Sequence, residues 1–181
     1  GIGAQALGED SLALGTDSIA RVTRSLAIGR ESLSEGERSL AIGDKSWAQA
    51  QGTIAIGDSA TAYYHGDNIA IGTKAYASSA RGIAIGANAV AYYHENNTAV
   101  GDGSRSAGPN GSAFGVSSLV VDGTTNGTAL GAFARVETAS ANGVALGANS
   151  VASGSSLLTP AYQPSPGTSV AGINAGGEVS I

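Results

Sequence analysis

The two histidines of the chain are the first residues whose type and spacing suggest chemistry. His65 and His94 each end the sequence Ala-Tyr-Tyr-His, at residues 62–65 and 91–94. Imidazole is a common zinc ligand, and zinc needs its ligand atoms about 2 Å away. The two copies are two units apart in the repeat described below, or roughly 10 Å if each unit is one rung of a sheet. One chain therefore cannot place both histidines on one ion, and a turn duplicated with its repeat is the simpler interpretation.

Other reactive groups are sparse. Gly-Asp pairs occur at 43–44, 57–58 and 101–102, but calcium-binding β-helices carry aspartate with a nine-residue period, which is absent here. These carboxylates are interpreted as solvated turn residues.

The chain has no cysteine, which excludes disulfides, thiolate metal sites and cysteine nucleophiles. We expect no catalytic site, no cofactor and no metal. The net charge of −5 also argues against nucleic acid as a partner, since a phosphate-binding surface is basic.

Six aromatic residues are the best candidates for a ligand-binding surface, because aromatic side chains are enriched at binding hot spots. They are the outward-facing Trp47 and Tyr76 and, in the longer turns, Tyr63, Tyr64, Tyr92 and Tyr93. The alternative is that some of them fill grooves between neighbouring subunits.

A repeat of fixed period organises these residues. Ten alanines each stand two residues before a glycine, and successive glycines from Gly15 to Gly147 are 14 to 16 residues apart. Such a period is typical of a solenoid, in which each unit buries its apolar side only against its neighbours. The alanine row consists of Ala13, Ala27, Ala41, Ala55, Ala70, Ala84, Ala99, Ala113, Ala129 and Ala145.

The residues on either side of each alanine are mostly aliphatic, which predicts a short strand with its large side chains on one face. We call these two sets the aliphatic rows, and we expect them to fill the core. The first row is Leu12, Leu26, Leu40, Ile54, Ile69, Ile83, Thr98, Ser112, Thr128 and Val144; the second is Leu14, Ile28, Ile42, Ile56, Ile71, Ile85, Val100, Phe114, Leu130 and Leu146.

A second strand follows each glycine. The third residue after the glycine is always Ser or Ala, and the fifth is mostly small. These positions are predicted to face inward, whereas the residue between them varies from Trp47 to Arg105 and is predicted to face outward. Two short strands per unit make a parallel β-roll of about ten coils, roughly 48 Å long.

The alanine row would then lie on the far side of the first strand from the core. A continuous apolar stripe on a rod marks an interface, and uniform small residues indicate close approach of another backbone. We therefore predict that the alanine row is the contact between subunits. The alternative is that alanine is merely tolerated on an exposed sheet.

The pattern Ser-Leu-Ala-Ile-Gly, at 25–29 and 39–43, resembles the head repeat of the YadA-type trimeric autotransporter adhesins of Gram-negative bacteria. The resemblance covers residues 11–152. It implies an all-β, left-handed parallel β-roll, assembled side by side as a homotrimer with the first strands facing the trimer axis. It also implies a passenger on the bacterial surface, anchored in the outer membrane through a C-terminal part missing here. In such a trimer, His65 or His94 from three chains would meet if its turn pointed at the axis, and whether they bind an ion there stays open.

Two regions are expected: head repeats over 1–152, and an irregular Pro-, Gly- and Ser-rich segment over 153–181 that resembles the approach to a neck and stalk. We interpret the chain as a piece of a longer protein. Its predicted function is non-enzymatic, multivalent adhesion to a host extracellular matrix or cell-surface protein. The sequence does not name the receptor. The alternatives are a hexapeptide-repeat acyltransferase, which the 14-residue period disfavours, and a purely structural or autoaggregation module.

Overall fold

The computed structural model describes residues 1–154 and the strand Val179–Ser180. Over these residues the backbone alternates between two parallel sheets of eleven strands each. Each coil contributes one strand to either sheet and stacks in register on the next, so that Ile69 pairs with Ile83 and Tyr76 with Val90. The predicted all-β parallel roll is confirmed. Two sheets, rather than the three of a hexapeptide-repeat helix, do not favour the acyltransferase alternative.

The first sheet holds the strands that carry the alanines. Its members are β2 (Leu12–Leu14), β4 (Leu26–Ile28), β6 (Leu40–Ile42), β8 (Ile54–Ile56), β10 (Ile69–Ile71), β12 (Ile83–Ile85), β14 (Thr98–Val100), β16 (Ser112–Phe114), β18 (Thr128–Leu130), β20 (Val144–Leu146) and β22 (Val179–Ser180). The last strand pairs with β20, so that Val179 lies beside Val144.

The second sheet holds two-residue strands. Its members are β1 (Gln5–Ala6), β3 (Ile19–Ala20), β5 (Leu33–Ser34), β7 (Trp47–Ala48), β9 (Thr61–Ala62), β11 (Tyr76–Ala77), β13 (Val90–Ala91), β15 (Arg105–Ser106), β17 (Leu119–Val120), β19 (Arg135–Val136) and β21 (Val151–Ala152). The roll thus runs to the end of the predicted head region. The predicted irregular segment, 153–181, lies mostly outside the described residues.

The interior of the roll is filled by small side chains. Nine alanines of the alanine row, Ala27 to Ala145, are completely buried within the single chain, and Ala13 in the first coil is half-buried. The small residues of the second sheet, such as Ser18 and Ala20, face them and are also fully buried. The predicted inward positions of the second sheet are confirmed, as is the outward direction of its variable position.

The predicted faces of the first sheet were wrong. The aliphatic rows, which were expected to form the core, point outward, and the alanines predicted as the subunit contact point inward. The turns that join the strands are short, for example residues 15–18 and 21–25, so the two sheets lie close together. Alanine facing serine or alanine fills that narrow space, whereas leucine or isoleucine on the same side would overpack it.

The later coils show how little room the interior has. Val120 and Val136 are the largest completely buried side chains among the described residues, and they occupy positions where earlier coils carry Ala or Ser. Their neighbours across the interior are glycines. A Cβ on Gly127 would lie 2.9 Å from Cγ1 of Val120 and 3.3 Å from Cγ1 of Val136. The larger valine side chains therefore fit because the residue opposite them is glycine, which has no side chain.

A column of glycines closes the corner after each first-sheet strand. Gly57 has φ +132° and lies so close to the next coil that a Cβ there would be 2.5 Å from the carbonyl oxygen of Gly72. Only glycine adopts this backbone conformation without strain. We expect Gly57→Ala to lower the free energy of unfolding by about 3 kcal/mol or more, because strain and backbone overlap add. Thermal or urea unfolding followed by circular dichroism measures the loss.

Gly123 provides the matched control. It also has a positive φ, +80°, but a Cβ there would meet nothing closer than Cγ2 of Thr138 at 3.6 Å. Gly123→Ala should cost only about 1–2 kcal/mol, the strain of a left-handed alanine. Equal losses for the two variants would contradict the close-contact explanation for the glycine column.

The opposite corner carries an amide ladder. Asn96, Asn110, Asn126 and Asn142 occupy equivalent turn positions with φ between 55° and 59°, a conformation that asparagine tolerates better than most residues. The Nδ2 group of each of the first three donates to the Oδ1 atom of the next at 2.9–3.0 Å. Arg81 extends the ladder by donating from Nε to Oδ1 of Asn96 at 2.8 Å. These bonds tie five successive coils together along one edge.

Candidate functional site

The roll brings three of the predicted aromatic residues together in one cluster. The ring of Tyr63 lies 4.9 Å from the ring of Trp47 and 4.9 Å from that of Tyr64. Trp47 donates from Nε1 to Oε2 of Glu35 at 2.9 Å, and Arg21 forms an ion pair with the same carboxylate. Trp47 and Tyr63 are therefore held against the roll, and Tyr64 projects from them with 70% of its surface exposed.

A second cluster repeats this arrangement two coils further along the roll. The rings of Tyr92 and Tyr93 are 3.9 Å apart, and the guanidinium of Arg105 lies 4.5 Å from the centre of the Tyr92 ring. Such a cation–π contact stabilises the tyrosine by about 0.5–1 kcal/mol at a partly exposed site. Tyr92 is only 9% exposed and Tyr93 is 67% exposed. In both clusters the first tyrosine packs against the roll and the second projects from it.

Tyr76 belongs to neither cluster. It is half-buried on the outer face of the second sheet, where it pairs with Thr61 on one side and Val90 on the other. The coil that carries Tyr76 has serines, Ser78 and Ser79, where the coils on either side have tyrosines. The two projecting tyrosines are therefore separated along the edge by a coil with small side chains.

Both projecting tyrosines sit at the centre of a three-residue turn. Tyr64 has φ 72° and Tyr93 has φ 70°. The N–H of His65 donates to the carbonyl of Tyr63 at 2.9 Å, and the N–H of His94 donates to that of Tyr92 at 3.1 Å. This is the γ-turn with positive φ, which is rare and strained. For a bulky residue such as tyrosine, this backbone conformation costs about 1–3 kcal/mol.

Two buried asparagines hold these turns, and the sequence analysis missed them. The Nδ2 group of Asn68 donates to the carbonyls of Tyr63 and His65 at 3.0 and 2.8 Å. Asn97 binds the carbonyls of Tyr92 and His94 in the same way, at 2.9 and 2.8 Å. Both asparagines are completely buried. The signal in the sequence is that the only two 15-residue coils carry Asn directly before the first strand, where other coils carry Ser, Thr or Gly.

The histidines do not converge on a common ligand position. His65 is exposed and its ring lies 5.8 Å from that of Tyr64. His94 contacts Asp122 instead, with Nε2 at 2.9 Å from Oδ1. This contact reaches across the turn of the coil that lies between the two residues. Within residues 1–154, no group of three or more His, Asp or Glu residues is placed to hold a metal ion. Whether His65 or His94 meets its copies in an assembly stays a prediction.

The Gly-Asp carboxylates lie on the opposite edge, in exposed turns. Asp44 accepts a hydrogen bond from Nη2 of Arg30 at 2.6 Å. This bond, together with the charges of Asp44 and Glu31, raises the pKa of the Arg30 guanidinium. The pair is solvent-exposed and contributes little to stability.

The part of the chain that the structure describes contains no helix that is long and apolar enough to span a membrane.

Comparison with known proteins identifies the repeat. The sequence model of the YadA head domain repeat (2 copies) matches residues 1–18, 6–32, 34–60, 69–89 and 139–156, which together make up more than half of the chain. The chain is also similar to the crystal structure of the collagen-binding domain of the Yersinia adhesin YadA. The two share 28% sequence identity with a TM-score of 0.57, over 80% of this chain and 69% of that one. No curated protein matches the sequence at a significant level.

The unmatched stretches are informative. Residues 61–68 and 90–138 fall outside the repeat matches, and these stretches contain both tyrosine turns and both buried asparagines. The two tyrosine turns, though not Trp47, thus lie where this chain departs from the matched repeat pattern.

Proposed function

The chain belongs to the family of YadA head-domain repeats, and from this premise we propose that it is the head of a bacterial surface adhesin that binds collagen or a related matrix protein. The observation that carries the proposal is the similarity over most of the chain to a domain described as collagen-binding. The rest of the protein, beyond this chain, anchors the head in the outer membrane. Binding is non-covalent and involves no catalysis. A rigid rod presents a repetitive surface to the ligand, and the six predicted aromatic residues are part of that surface.

The active form is a homotrimer assembled through the aliphatic rows. The second row is apolar in every coil, and the first is apolar except at Thr98, Ser112 and Thr128. Together they form an apolar stripe on the outer face of the first sheet, with Leu14 56% and Leu130 46% exposed in the single chain. A stripe of this kind is too apolar to remain in water on a soluble rod. Side-by-side packing of three chains, which the family resemblance implies, covers the stripe and turns the aromatic clusters outward.

Trimerisation also explains how shallow sites give useful affinity. Three identical rods present each aromatic cluster three times, and engagement of one site raises the effective ligand concentration at the others. Receptor choice within the matrix proteins follows from the chemistry of the outer surface rather than from a single pocket.

We expect the purified chain to bind immobilised triple-helical collagen in surface plasmon resonance, with saturable binding that weakens strongly when the protein is made monomeric. Heat-denatured collagen, fibronectin and laminin serve as comparison surfaces on the same chip. An assembled, folded protein that binds none of these surfaces would contradict the proposed function.

A further inference from the structure

The two tyrosine turns have the features of a built binding element rather than of accidental loops. Tyr64 and Tyr93 each combine a strained positive φ with an exposed fraction of 70% and 67%. The Tyr64 ring lies beside those of Tyr63 and His65, and the Tyr93 ring beside that of Tyr92, so the contribution of each exposed ring to the stability of the fold is small compared with that of a buried ring. Strain of this kind concentrates at ligand-binding positions.

The buried asparagines explain why the strain persists. Asn68 uses all its hydrogen-bonding groups on backbone atoms: Nδ2 binds the two carbonyls that flank Tyr64, and Oδ1 accepts from the N–H of Gly82 in the next coil at 2.9 Å. Asn97 repeats the arrangement, with Oδ1 accepting from Gly111 at 3.2 Å. Each projecting tyrosine is thus fixed to the rigid interior of the roll, so its ring is presented with little loss of backbone entropy on binding.

The spacing of the two turns is set by the stacking of the coils. One complete coil separates them, and the backbone bonds Tyr63 N–H to Ala77 and Ser78 N–H to Ala91 confirm that the three turns are consecutive rungs. Two rungs of a sheet span about 9.6 Å. Three residues of a polyproline II chain advance about 9.3 Å. A polyproline II chain parallel to the roll axis therefore presents equivalent residues of successive triplets to the two tyrosines.

The chemistry of the edge also fits such a chain. Proline-rich polyproline II segments bind to grooves lined by aromatic side chains, where each proline ring packs against an aromatic face. In the intervening coil Ser78 is small and half-buried and Ser79 is completely buried, so neither side chain fills the space between the two contacts. The rigid polyproline II conformation also costs little entropy to bind.

We propose that Tyr64 and Tyr93 are a two-point contact for a collagen-like polyproline II strand, one tyrosine for each of two successive Gly-X-Y triplets. This inference rests on the proposed collagen-binding function and assigns it to two residues and a spacing.

The test measures binding of the assembled protein to a triple-helical peptide of Pro-Hyp-Gly repeats. Tyr64→Gly and Tyr93→Gly are the informative variants, because glycine removes the ring and also relieves the strained φ. Each should keep or raise the melting temperature and lower the affinity about tenfold, and the double variant about a hundredfold. Phe133→Ala is the matched control, since Phe133 is also exposed with a positive φ, 59°, but lies on the opposite edge; it should not change the affinity.

A deletion tests the spacing itself. Removal of residues 73–86, one complete 14-residue coil, keeps both tyrosines and places them on adjacent rungs about 4.8 Å apart. If circular dichroism shows the roll intact, affinity for the peptide should fall about as far as in the double glycine variant. Wild-type affinity in this deletion would overturn the spacing argument.

The outcomes separate this inference from the function on which it rests. If the assembled wild-type protein binds neither the peptide nor whole collagen, the proposed function is refuted. Collagen binding that survives both glycine substitutions unchanged would overturn the tyrosine assignment alone. Dissociation of the glycine variants in sedimentation would also overturn it, because the tyrosines would then be contacts between subunits.

Discussion

Replacing both Ile56 and Ile71 with glutamate is expected to convert the assembled protein into a folded monomer. The two isoleucines are register neighbours on β8 and β10 and point away from the alanine interior, so the roll itself loses no core contact. In the assembly each glutamate would be buried near its copies from the other chains. Burial of an unpaired carboxylate is costly enough to abolish association. Sedimentation velocity gives the mass, and circular dichroism reports whether the sheets remain.

A glutamate on the second sheet is the appropriate control. Thr61 is half-buried on the outer face of β9, level with the same coils, and Thr61→Glu should leave the oligomeric state unchanged. A wild-type chain that sediments as a monomer at micromolar concentration, or an Ile56→Glu/Ile71→Glu variant that stays assembled, would show that the aliphatic rows are not the subunit contact.

Replacing Ala84 with leucine is expected to unfold the roll rather than to alter its assembly. Ala84 is completely buried between Ala70 and Ala99 in the neighbouring coils. Three further carbon atoms in this interior would force the two sheets apart, at a cost of at least about 3 kcal/mol in each chain. We expect a large drop in the midpoint of thermal unfolding and protease cleavage in the adjacent coils.

The neighbouring residue supplies the contrast. Ile85 lies next to Ala84 on β12 but faces outward with 36% exposure, and Ile85→Leu changes shape without changing volume. Its unfolding midpoint should stay within a few degrees of the wild type. If Ala84→Leu melts at the same temperature as Ile85→Leu, the alanine row does not form the interior.

Much of this architecture was determined by the sequence alone. The glycine period defined the coils and their register, because identical coils stack with identical residues aligned, as Ala70 aligns with Ala84. Constant Ser and Ala after each glycine predicted the inner side of the second sheet, and the variable position between them predicted its outer side. The two longer coils were visible as insertions, and the aromatic residues within them were identified as candidates for binding.

The tertiary structure decided which face of the first strand is inside and which tyrosine of each pair is exposed. Alternation along a strand separates two faces but does not say which one is buried; that depends on the distance between the two sheets, which the corner glycines and short turns make too small for isoleucine. Likewise, two adjacent tyrosines look equivalent in sequence. The γ-turn makes them different: the first tyrosine of each pair, Tyr63 or Tyr92, packs against the roll, and the second, Tyr64 or Tyr93, projects into solvent. Each γ-turn is held by a buried asparagine, Asn68 or Asn97, that lies a few residues further along the chain.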